Sequence, residues 1–300
     1  MAILIDESTT VLVQGITGRE GVARTRTMLD YGTKVLCGVT PGRGGTKVWS
    51  LPVYDSVEEA IEKHSIIDAS VTFVPGPHVK NAVFEALEAG IKFVVMPVER
   101  VPLHDSLEMI TLARRKNARI LGPGSLGIIS PERSLMGWIG GTEEFAREIF
   151  KPGSIGVMSR SGGQTTTVAW SITRAGLGIS TALHIGSEPV VGLSFAEILS
   201  IFEEDEETQG VVMFGEIGTV AEEEAAEVIK EGRFNKPLVA YIAGRSLPPG
   251  IRFSHASAII ERGRGTGGSK VKALEEAKAY VVEKPEEIAP TLARILGDKQ

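Results

Sequence analysis

The sequence is poor in cysteine and in long apolar runs. Cys37 is its single cysteine among 300 residues, which excludes an internal disulfide and a Cys-x-x-Cys redox or zinc site. No uninterrupted apolar run is long enough to span a bilayer. The first residues also lack the basic region and the apolar core of a signal peptide. We therefore expect a cytoplasmic protein without a membrane partner.

The sequence also lacks a surplus of positive charge. Lys and Arg number 32 against 38 Asp and Glu, so the net charge is −6. This balance gives no electrostatic support for a nucleic-acid partner. With 42% hydrophobic and 23% charged residues, the composition is that of a globular protein with enough apolar material for one large core or two ordinary ones.

Short β-branched runs alternate with amphipathic stretches, which predicts parallel sheets covered by helices. The first series predicts strands at Thr10–Gln14, Lys34–Val39, Ser70–Val74, Phe93–Met96 and Arg119–Leu121, and helices at Ala23–Tyr31, Val57–Lys63, Lys80–Ala89 and Asp105–Lys116. Residues Gly122–Gly153 predict a connector with a short helix at Glu143–Phe150. The second series predicts strands at Ser154–Met158, Ile179–Ile185, Gly210–Phe214, Pro237–Ala243 and Ala279–Val282, and helices at Thr165–Ala175, Ser194–Glu203, Val220–Lys230, Ser269–Ala277 and Pro285–Leu296. We expect an α/β protein of two doubly wound domains.

A glycine-rich turn, Gly15–Gly21, follows the first predicted strand and precedes a helix. Glycines at such a turn let backbone amides approach a phosphate at the helix N-terminus. The second strand ends without the carboxylate that usually binds the ribose of NAD, and Arg43 stands among glycines instead. An arginine suits a phosphorylated ribose, as in NADP or coenzyme A. The alternatives are a tight turn and an ordinary surface loop.

A second glycine turn, Ser159–Gln164, follows the first strand of the second series. Free amides and the positive end of a helix dipole are suited to hold a phosphate there, although a plain Ser/Thr cap is the simpler interpretation. Glu216 follows the strand Val211–Gly215 and would stand at a sheet edge, where a carboxylate either orients an imidazole or is solvated.

His255 lies among small residues after a Pro-Pro-Gly turn and before the glycine-rich tract Arg262–Gly268. Small neighbours leave an imidazole accessible from more than one side, as a nucleophile requires. Taken alone, an ordinary hydrogen-bonded loop histidine explains the pattern as well.

Together these motifs resemble the α subunit of succinyl-CoA synthetase, within the phosphohistidine acyl-CoA synthetases that include citryl-CoA synthetase and ATP-citrate lyase. The blocks that carry the resemblance are Val13–Gly18, Gly38–Gly45, Ser159–Gly162, Gly215–Gly218, Tyr241–Gly244 and His255–Ile259. The resemblance implies a Rossmann-like CoA-binding domain at residues 1–130 and a flavodoxin-like ligase domain at residues 131–300.

The resemblance also implies roles for individual residues. His255 would carry the phosphoryl group and Glu216 would orient it. The residues expected to bind phosphate are Ser161, Gly162 and Gly163. The residues expected to bind coenzyme A are Thr17, Gly18, Arg19, Glu20, Arg43, Val98, Glu99 and Ser125. No metal site is expected in this chain. We find no P-loop lysine motif, so ATP or GTP with its magnesium would be held by a partner, which in this family is an ATP-grasp β subunit.

Several positions depart from the family's succinate enzymes. Thr166 and Thr167 stand where those enzymes have tyrosine and glutamate, and the segments Gly122–Gly127, Gly186–Pro189 and Ser254–Ser257 also differ. The loop Trp138–Thr142 is closer to citrate lyase-type relatives, whereas the part from Lys272 onwards is closer to archaeal succinate enzymes. Succinate is the first choice of acid. The alternatives are a citryl-CoA synthetase-type subunit, a CoA-sensing module without chemistry, and a dinucleotide-dependent oxidoreductase.

Overall fold

A computed structural model describes residues 3–245 and 265–297, where two β-sheets are each covered by helices. The strands of the first sheet are β1 (Thr10–Gln14), β2 (Lys34–Val39), β3 (Lys47–Val48), β4 (Leu51–Tyr54), β5 (Ala69–Thr72), β6 (Phe93–Val95) and β7 (Arg119–Leu121). Its helices are α1 (Arg19–Tyr31), α2 (Val57–His64), α3 (Gly76–Glu88) and α4 (Leu103–Arg115).

The first sheet has the strand order β3-β4-β2-β1-β5-β6-β7. All pairs are parallel except the edge hairpin of β3 and β4. Numbering the six parallel strands along the chain gives the order 3-2-1-4-5-6 of a Rossmann domain. In such a sheet the order reverses between β1 and β5, which opens a crevice at the carboxyl ends of the strands.

The second sheet is built from later strands, and its last helix runs to the end of the described chain. Its strands are β8 (Gly127–Ser130), β9 (Ser134–Gly137), β10 (Pro152–Ser159), β11 (Ile179–His184), β12 (Gly210–Glu216), β13 (Leu238–Ala243) and β14 (Tyr280–Val281). Its helices are α5 (Glu143–Ile149), α6 (Gly162–Arg174), α7 (Phe195–Glu204), α8 (Ala221–Lys230), α9 (Gly267–Glu276) and α10 (Ile288–Gly297).

The second sheet has the order β14-β13-β12-β10-β11-β8-β9. Its five parallel strands, numbered along the chain, follow the flavodoxin-like order 2-1-3-4-5. The order reverses between β10 and β12, so a second crevice is expected at the carboxyl ends of these two strands. The predicted α/β fold of two doubly wound units is confirmed.

The predicted connector over Gly122–Gly153 was wrong in part, because it contains the strands β8 and β9. They form an antiparallel hairpin, and β8 pairs antiparallel with β11 at one edge of the second sheet. A glycine- and proline-rich stretch has no clear period of its own, so only the pairing with β11 determines its conformation. The edge hairpin of β3 and β4 was missed for the same reason.

The two sheets share one continuous hydrophobic core. Val13 and Val71 of the first sheet belong to the same buried cluster as Leu135 and Val157 of the second. Between the sheets, the Thr33 hydroxyl donates to the Leu135 carbonyl at 2.7 Å and accepts the N–H of that residue at 3.0 Å. The sheets divide between Leu121 and Gly127, and a domain boundary near residue 130 remains a prediction. Over residues 3–245 and 265–297, none of the helices combines the length and apolar character that crossing a bilayer requires.

Candidate functional site

A cleft of about 730 Å³ lies at the first crevice, at the carboxyl ends of β1, β2 and β5. The residues that line it are Gln14, Gly15, Thr17, Gly18, Val39, Thr40, Pro41, Phe73, Val74, Pro75, His78, Asn81, Ala82 and Glu85. Two predicted CoA-binding residues, Thr17 and Gly18, are among them. The lining is mainly apolar, with polar side chains from the strand ends and from α3, as is usual for a cofactor-sized site.

Gly15, Gly18 and Gly21 of this turn each suit their position for a different structural reason. Gly15 has a φ of +77°, and a β-carbon there would lie 2.3 Å from the Phe73 carbonyl oxygen. A β-carbon on Gly21 would lie 2.2 Å from the Gly15 carbonyl oxygen, so α1 packs closely against β1. Gly18 is the N-cap of α1, and no side chain caps that helix. The backbone amides of the first turn are therefore available to an anionic ligand.

A second cleft of about 380 Å³ adjoins the first and shares Gly18, Phe73, Val74 and Pro75 with it. The predicted residues Arg19, Glu20 and Val98 line this second cleft. Helix α1 begins at Arg19, four residues earlier than predicted, which puts Arg19 and Glu20 in its first turn. Five of the eight predicted CoA-binding residues thus lie around two continuous clefts.

Three predicted CoA-binding residues lie elsewhere. Arg43 is exposed on the loop between β2 and β3, and does not line either cleft. Glu99 is exposed just beyond Val98. Ser125 is fully buried between the sheets, where its hydroxyl donates to the His184 carbonyl and accepts the Gly127 N–H at 2.9 Å. Its role there is to join two chain segments, and contact of Ser125 with CoA stays a prediction.

The single cysteine is excluded as a nucleophile by its position. Cys37 is buried in β2, and this burial raises the pKa of its thiol to about 12. The thiolate is the reactive form of cysteine, so Cys37 remains an inert core residue near neutral pH.

The second glycine turn lies at the second crevice. Helix α6 begins at Gly162, three residues earlier than predicted, with Ser161 as its N-cap. The Ser161 side chain makes no capping hydrogen bond, and its backbone N–H donates to the Ser159 hydroxyl at 2.9 Å. A β-carbon on Gly163 would meet nothing within 4 Å. The three predicted phosphate-binding residues therefore form an uncapped helix N-terminus with open space beside it.

Glu216 ends β12, which neighbours the strand β10 that leads into α6. The residue is 3% exposed, and its Oε1 lies 3.7 Å from Nε of Arg160, which is 1% exposed. Arg160 also donates from its guanidinium to the Glu188 carbonyl at 3.2 Å. A buried carboxylate needs a compensating positive charge, and Arg160 supplies it.

A histidine that the sequence analysis missed supports this arrangement. Nδ1 of His184 accepts the Leu126 N–H at 2.9 Å, which leaves the ring proton on Nε2, and Nε2 donates to the Arg160 carbonyl at 3.0 Å. His184 is the last residue of β11, which neighbours β10. Its position at a strand end was a signal in the sequence, but the partner segments lie too far away along the chain to identify.

His255 lies outside the described residues. The described chain on either side of it can be placed, because Ala243 in β13 is in register with Glu216. On the other side, Gly265 accepts the Gly218 N–H at 2.7 Å. Both flanks of residues 246–264 are thus next to the end of β12.

Within the described ranges, one group of side chains has the spacing of a metal site. Ligand atoms of His104, Asp105 and Glu108 lie within 4.8 Å of one another. Nζ of Lys80 is 3.2 Å from Asp105 and also contacts Glu108. Because an ammonium group already compensates both carboxylates, we assign no metal to this group.

Comparison with known proteins agrees with both halves of this arrangement. Residues 6–99 match the CoA binding domain family and residues 158–280 match the CoA-ligase family. In solved structures, the chain is similar to ATP citrate lyase from Methanothrix soehngenii in complex with citrate and coenzyme A, with a TM-score of 0.91 and 25% identity. That similarity covers 99% of this chain but only 51% of the citrate lyase chain.

Among characterised relatives, the chain is 49% identical to the α subunit 2 of an ADP-forming succinate–CoA ligase from Archaeoglobus fulgidus, over 99% of this chain and 100% of that protein. It is 46% identical to a subunit of an ADP-forming sulfoacetate-CoA ligase from an Acholeplasma species, over 98% of both chains. Identity at this level over complete chains, with the two family domains in this order, shows that the chain belongs to the CoA-ligase family of acid–thiol ligases, together with the α subunits of succinate–CoA ligases.

Proposed function

We propose that this chain is the α subunit of an ADP- or GDP-forming succinate–CoA ligase that acts through a phosphohistidine at His255. One observation carries the proposal. At the second crevice, the uncapped N-terminus of α6 and the buried Glu216 lie at the carboxyl ends of the neighbouring strands β10 and β12, and the chain leaves and re-enters this place on either side of residues 246–264. His255 is ten residues from both Arg245 and Gly265. Ten residues are long enough for its ring to reach Glu216.

The first domain supplies the CoA site in this proposal. The adjoining clefts around Thr17, Gly18, Arg19, Glu20 and Val98 offer an apolar floor and a free helix N-terminus for the pyrophosphate. Bound CoA would supply the thiol nucleophile. Its 3′-phosphate is the group that Arg43 would bind, from an exposed position beyond the Thr40 and Pro41 edge of the larger cleft.

The proposed reaction uses His255 as a relay. Its neutral imidazole attacks the γ-phosphorus of the nucleotide, releasing ADP or GDP, and Glu216 stabilises the positive charge on the ring. The amides of Gly162 and Gly163, together with the Ser161 hydroxyl, hold the phosphoryl group during transfer. The succinate carboxylate then takes this group and frees His255. The acyl phosphate reacts with the CoA thiol to give succinyl-CoA and inorganic phosphate.

The nucleotide site is proposed to lie on a separate ATP-grasp β subunit, where magnesium would be bound. Two features support this. The sequence has no P-loop lysine motif, and the two glycine turns are already assigned to CoA and to the transferring phosphate. The relatives are themselves named as subunits of ADP-forming ligases.

The experiment that tests the proposal is thioester formation by this chain assembled with its partner subunit. We expect ATP- or GTP-dependent formation of succinyl-CoA with release of one nucleoside diphosphate per thioester. The chain alone should be inactive. Robust synthesis by this chain without a second polypeptide would contradict the placement of the nucleotide on a partner.

Arg43→Ala is expected to weaken CoA binding by this chain. Losing one charged hydrogen bond costs on the order of 1.5–3 kcal/mol, because the 3′-phosphate would exchange a guanidinium for water. Calorimetry on the isolated chain measures this change. Arg119→Ala is the matched control, since Arg119 is also exposed on the first domain but begins β7 at the opposite edge of the sheet. Tighter binding of NAD than of CoA would contradict the site assignment and favour the oxidoreductase alternative.

The acid specificity is expected to be broader than that of a strict succinate enzyme. In the first turns of α6, Thr165 is buried and its hydroxyl donates to the Ser161 carbonyl at 2.8 Å, whereas Thr166 is half-buried and Thr167 exposed. Threonine in place of the tyrosine of the succinate enzymes opens space and moves a hydrogen-bond donor. A site discriminates among acids by the hydrogen-bond partners that it offers them. We expect succinate to have the highest kcat/KM, by less than about a hundredfold over the other acids.

The comparison should include succinate, malate, citrate and sulfoacetate. Citrate tests the citrate lyase-type alternative that the Trp138–Thr142 loop favours, and sulfoacetate is added because of the Acholeplasma relative. The double variant Thr166→Tyr/Thr167→Glu should narrow the choice towards succinate. An unchanged ranking of acids in that variant would mean that these two positions do not set specificity.

A further inference from the structure

A buried ion pair lies behind the proposed phosphohistidine site and has no role in the chemistry described so far. Lys270 of α9 is 0% exposed and Glu222 of α8 is 1% exposed, and the lysine ammonium contacts Oε2 of that carboxylate. Nζ of Lys270 is also 3.4 Å from Oε2 of Glu223. Two charged residues are costly to bury, and replacement by apolar residues is often neutral for stability. Stability alone therefore does not account for the pair.

The other oxygen of Glu222 holds the strand end that carries Glu216. Oε1 of Glu222 accepts the backbone N–H of Glu216 at 3.0 Å. The carboxylate occupies the space beside Gly215, where a β-carbon would lie 2.5 Å from the same oxygen. The glycine before Glu216 is thus required by Glu222. The hydrogen bond therefore restrains the backbone of Glu216, and Lys270 holds the Glu222 carboxylate that accepts it.

Glu223 connects the same pair to the far flank of the His255 segment. Its Oε1 accepts the Gly265 N–H at 3.1 Å and the Ser269 hydroxyl at 2.9 Å. The Gly265 carbonyl accepts the Gly218 N–H at 2.7 Å, and a β-carbon on Gly265 would lie 2.3 Å from the Thr219 carbonyl oxygen. The three charged residues therefore hold Gly265 against the turn that follows Glu216.

We propose that Lys270, Glu222 and Glu223 are positioning residues that set the distance between Glu216 and Gly265, the described flank of the segment that carries His255. The inference rests on the proposed function, because it requires His255 to react beside Glu216. The Glu222 carboxylate fixes the end of β12 through the backbone N–H of Glu216, and the Glu223 carboxylate fixes Gly265. The buried ammonium of Lys270 compensates both carboxylates. Displacement of either anchor would move Glu216 relative to Gly265 without touching the CoA domain.

The test compares Glu222→Gln, Lys270→Met and Glu223→Gln in the assembled complex. The rate of label transfer from γ-labelled ATP to the chain is measured by rapid quench, well below each variant's melting temperature. We expect this rate to fall by about tenfold to a hundredfold in the first two variants, since small misplacements of reacting groups have effects of that size. Glu223→Gln should show a smaller loss. The CoA affinity of each chain should equal that of the unmodified chain.

The matched control is Asp205→Asn. Asp205 is also a buried carboxylate of the second domain, but it follows α7 and precedes β12. It therefore lies towards the amino end of β12, whereas Glu216 lies at the carboxyl end of that strand. This variant should lower the melting temperature and leave the phosphorylation rate unchanged. Lys270→Arg, which keeps the charge, should retain more of the rate than Lys270→Met.

Full phosphorylation rates in folded Glu222→Gln and Lys270→Met, with only lowered melting temperatures, would overturn the positioning role. If these two variants do not fold, Glu223→Gln decides, because its side chain is 19% exposed and not part of the fully buried pair. A wild-type complex that takes up no label is a different result. It would refute the phosphohistidine proposal itself, and this inference would fall with it.

Discussion

Replacing His255 by asparagine is expected to abolish phosphorylation of the chain and to lower thioester synthesis by at least about a thousandfold, as loss of an essential nucleophile does in other enzymes. Asparagine keeps a polar side chain of similar reach but has no nucleophilic nitrogen near neutral pH. The chain should still fold and bind CoA, because the CoA clefts lie on the first domain. Labelling with γ-labelled ATP in the assembled complex, followed by peptide mapping, measures the effect.

The control for this experiment is His104→Asn. His104 lies in α4 and its side chain is 80% exposed, so this substitution should leave labelling and activity unchanged. Acid-labile phosphate on another residue, or equal labelling of His255→Asn and the unmodified chain, would sink the phosphohistidine assignment. Retained CoA binding without any labelling of the unmodified chain would favour the CoA-sensing alternative.

Glu216→Gln is expected to slow phosphoryl transfer to His255 by up to about ten-thousandfold, the loss seen when the carboxylate that supports a catalytic imidazole is neutralised. The amide has the same shape but cannot stabilise positive charge on the ring. It also removes the carboxylate that compensates the buried Arg160, so the melting temperature should fall as well. The measurement is again the single-turnover rate of labelling, taken below the melting transition.

Glu224→Gln serves as the control for Glu216→Gln. Glu224 lies eight residues further along the chain in α8 and is exposed, so neither stability nor phosphorylation should change. A Glu216→Gln chain that is labelled at the unmodified rate would show that the carboxylate does not support the imidazole. The imidazole would then depend on another group for its orientation.

The sequence by itself determined the order of the helices and of the strands in both domains, except for β3, β4, β8 and β9. The strands β1, β2 and β7 begin and end where the β-branched runs predicted, because burial on both faces of a parallel sheet requires continuous apolar residues that are visible locally. Glycines at the first turn and the polar residue at the end of β12 also followed from local chemistry. The family resemblance rested on such local blocks, and the comparisons confirm it.

The first residues of the helices were predicted less accurately. The helices α1 and α6 begin at Arg19 and Gly162, where glycine and polar residues hide the helical period. The first turn of a helix does not need apolar side chains when it lies at a ligand cleft and not against the core. The segments that bind ligands are therefore the ones in which hydrophobic periodicity is least informative.

Only the tertiary structure decided which distant residues meet behind the site. Arg160, His184 and Glu216 come from three different strand ends, and Lys270 and Glu222 from two helices. None of these pairs follows from local sequence, because a buried charge is stable only beside partners that the fold brings to it. Pairing of β8 with β11 likewise joined a glycine-rich stretch to the second sheet. Residue types and their order specify the elements, whereas the compensation of buried charge is a property of the packed molecule.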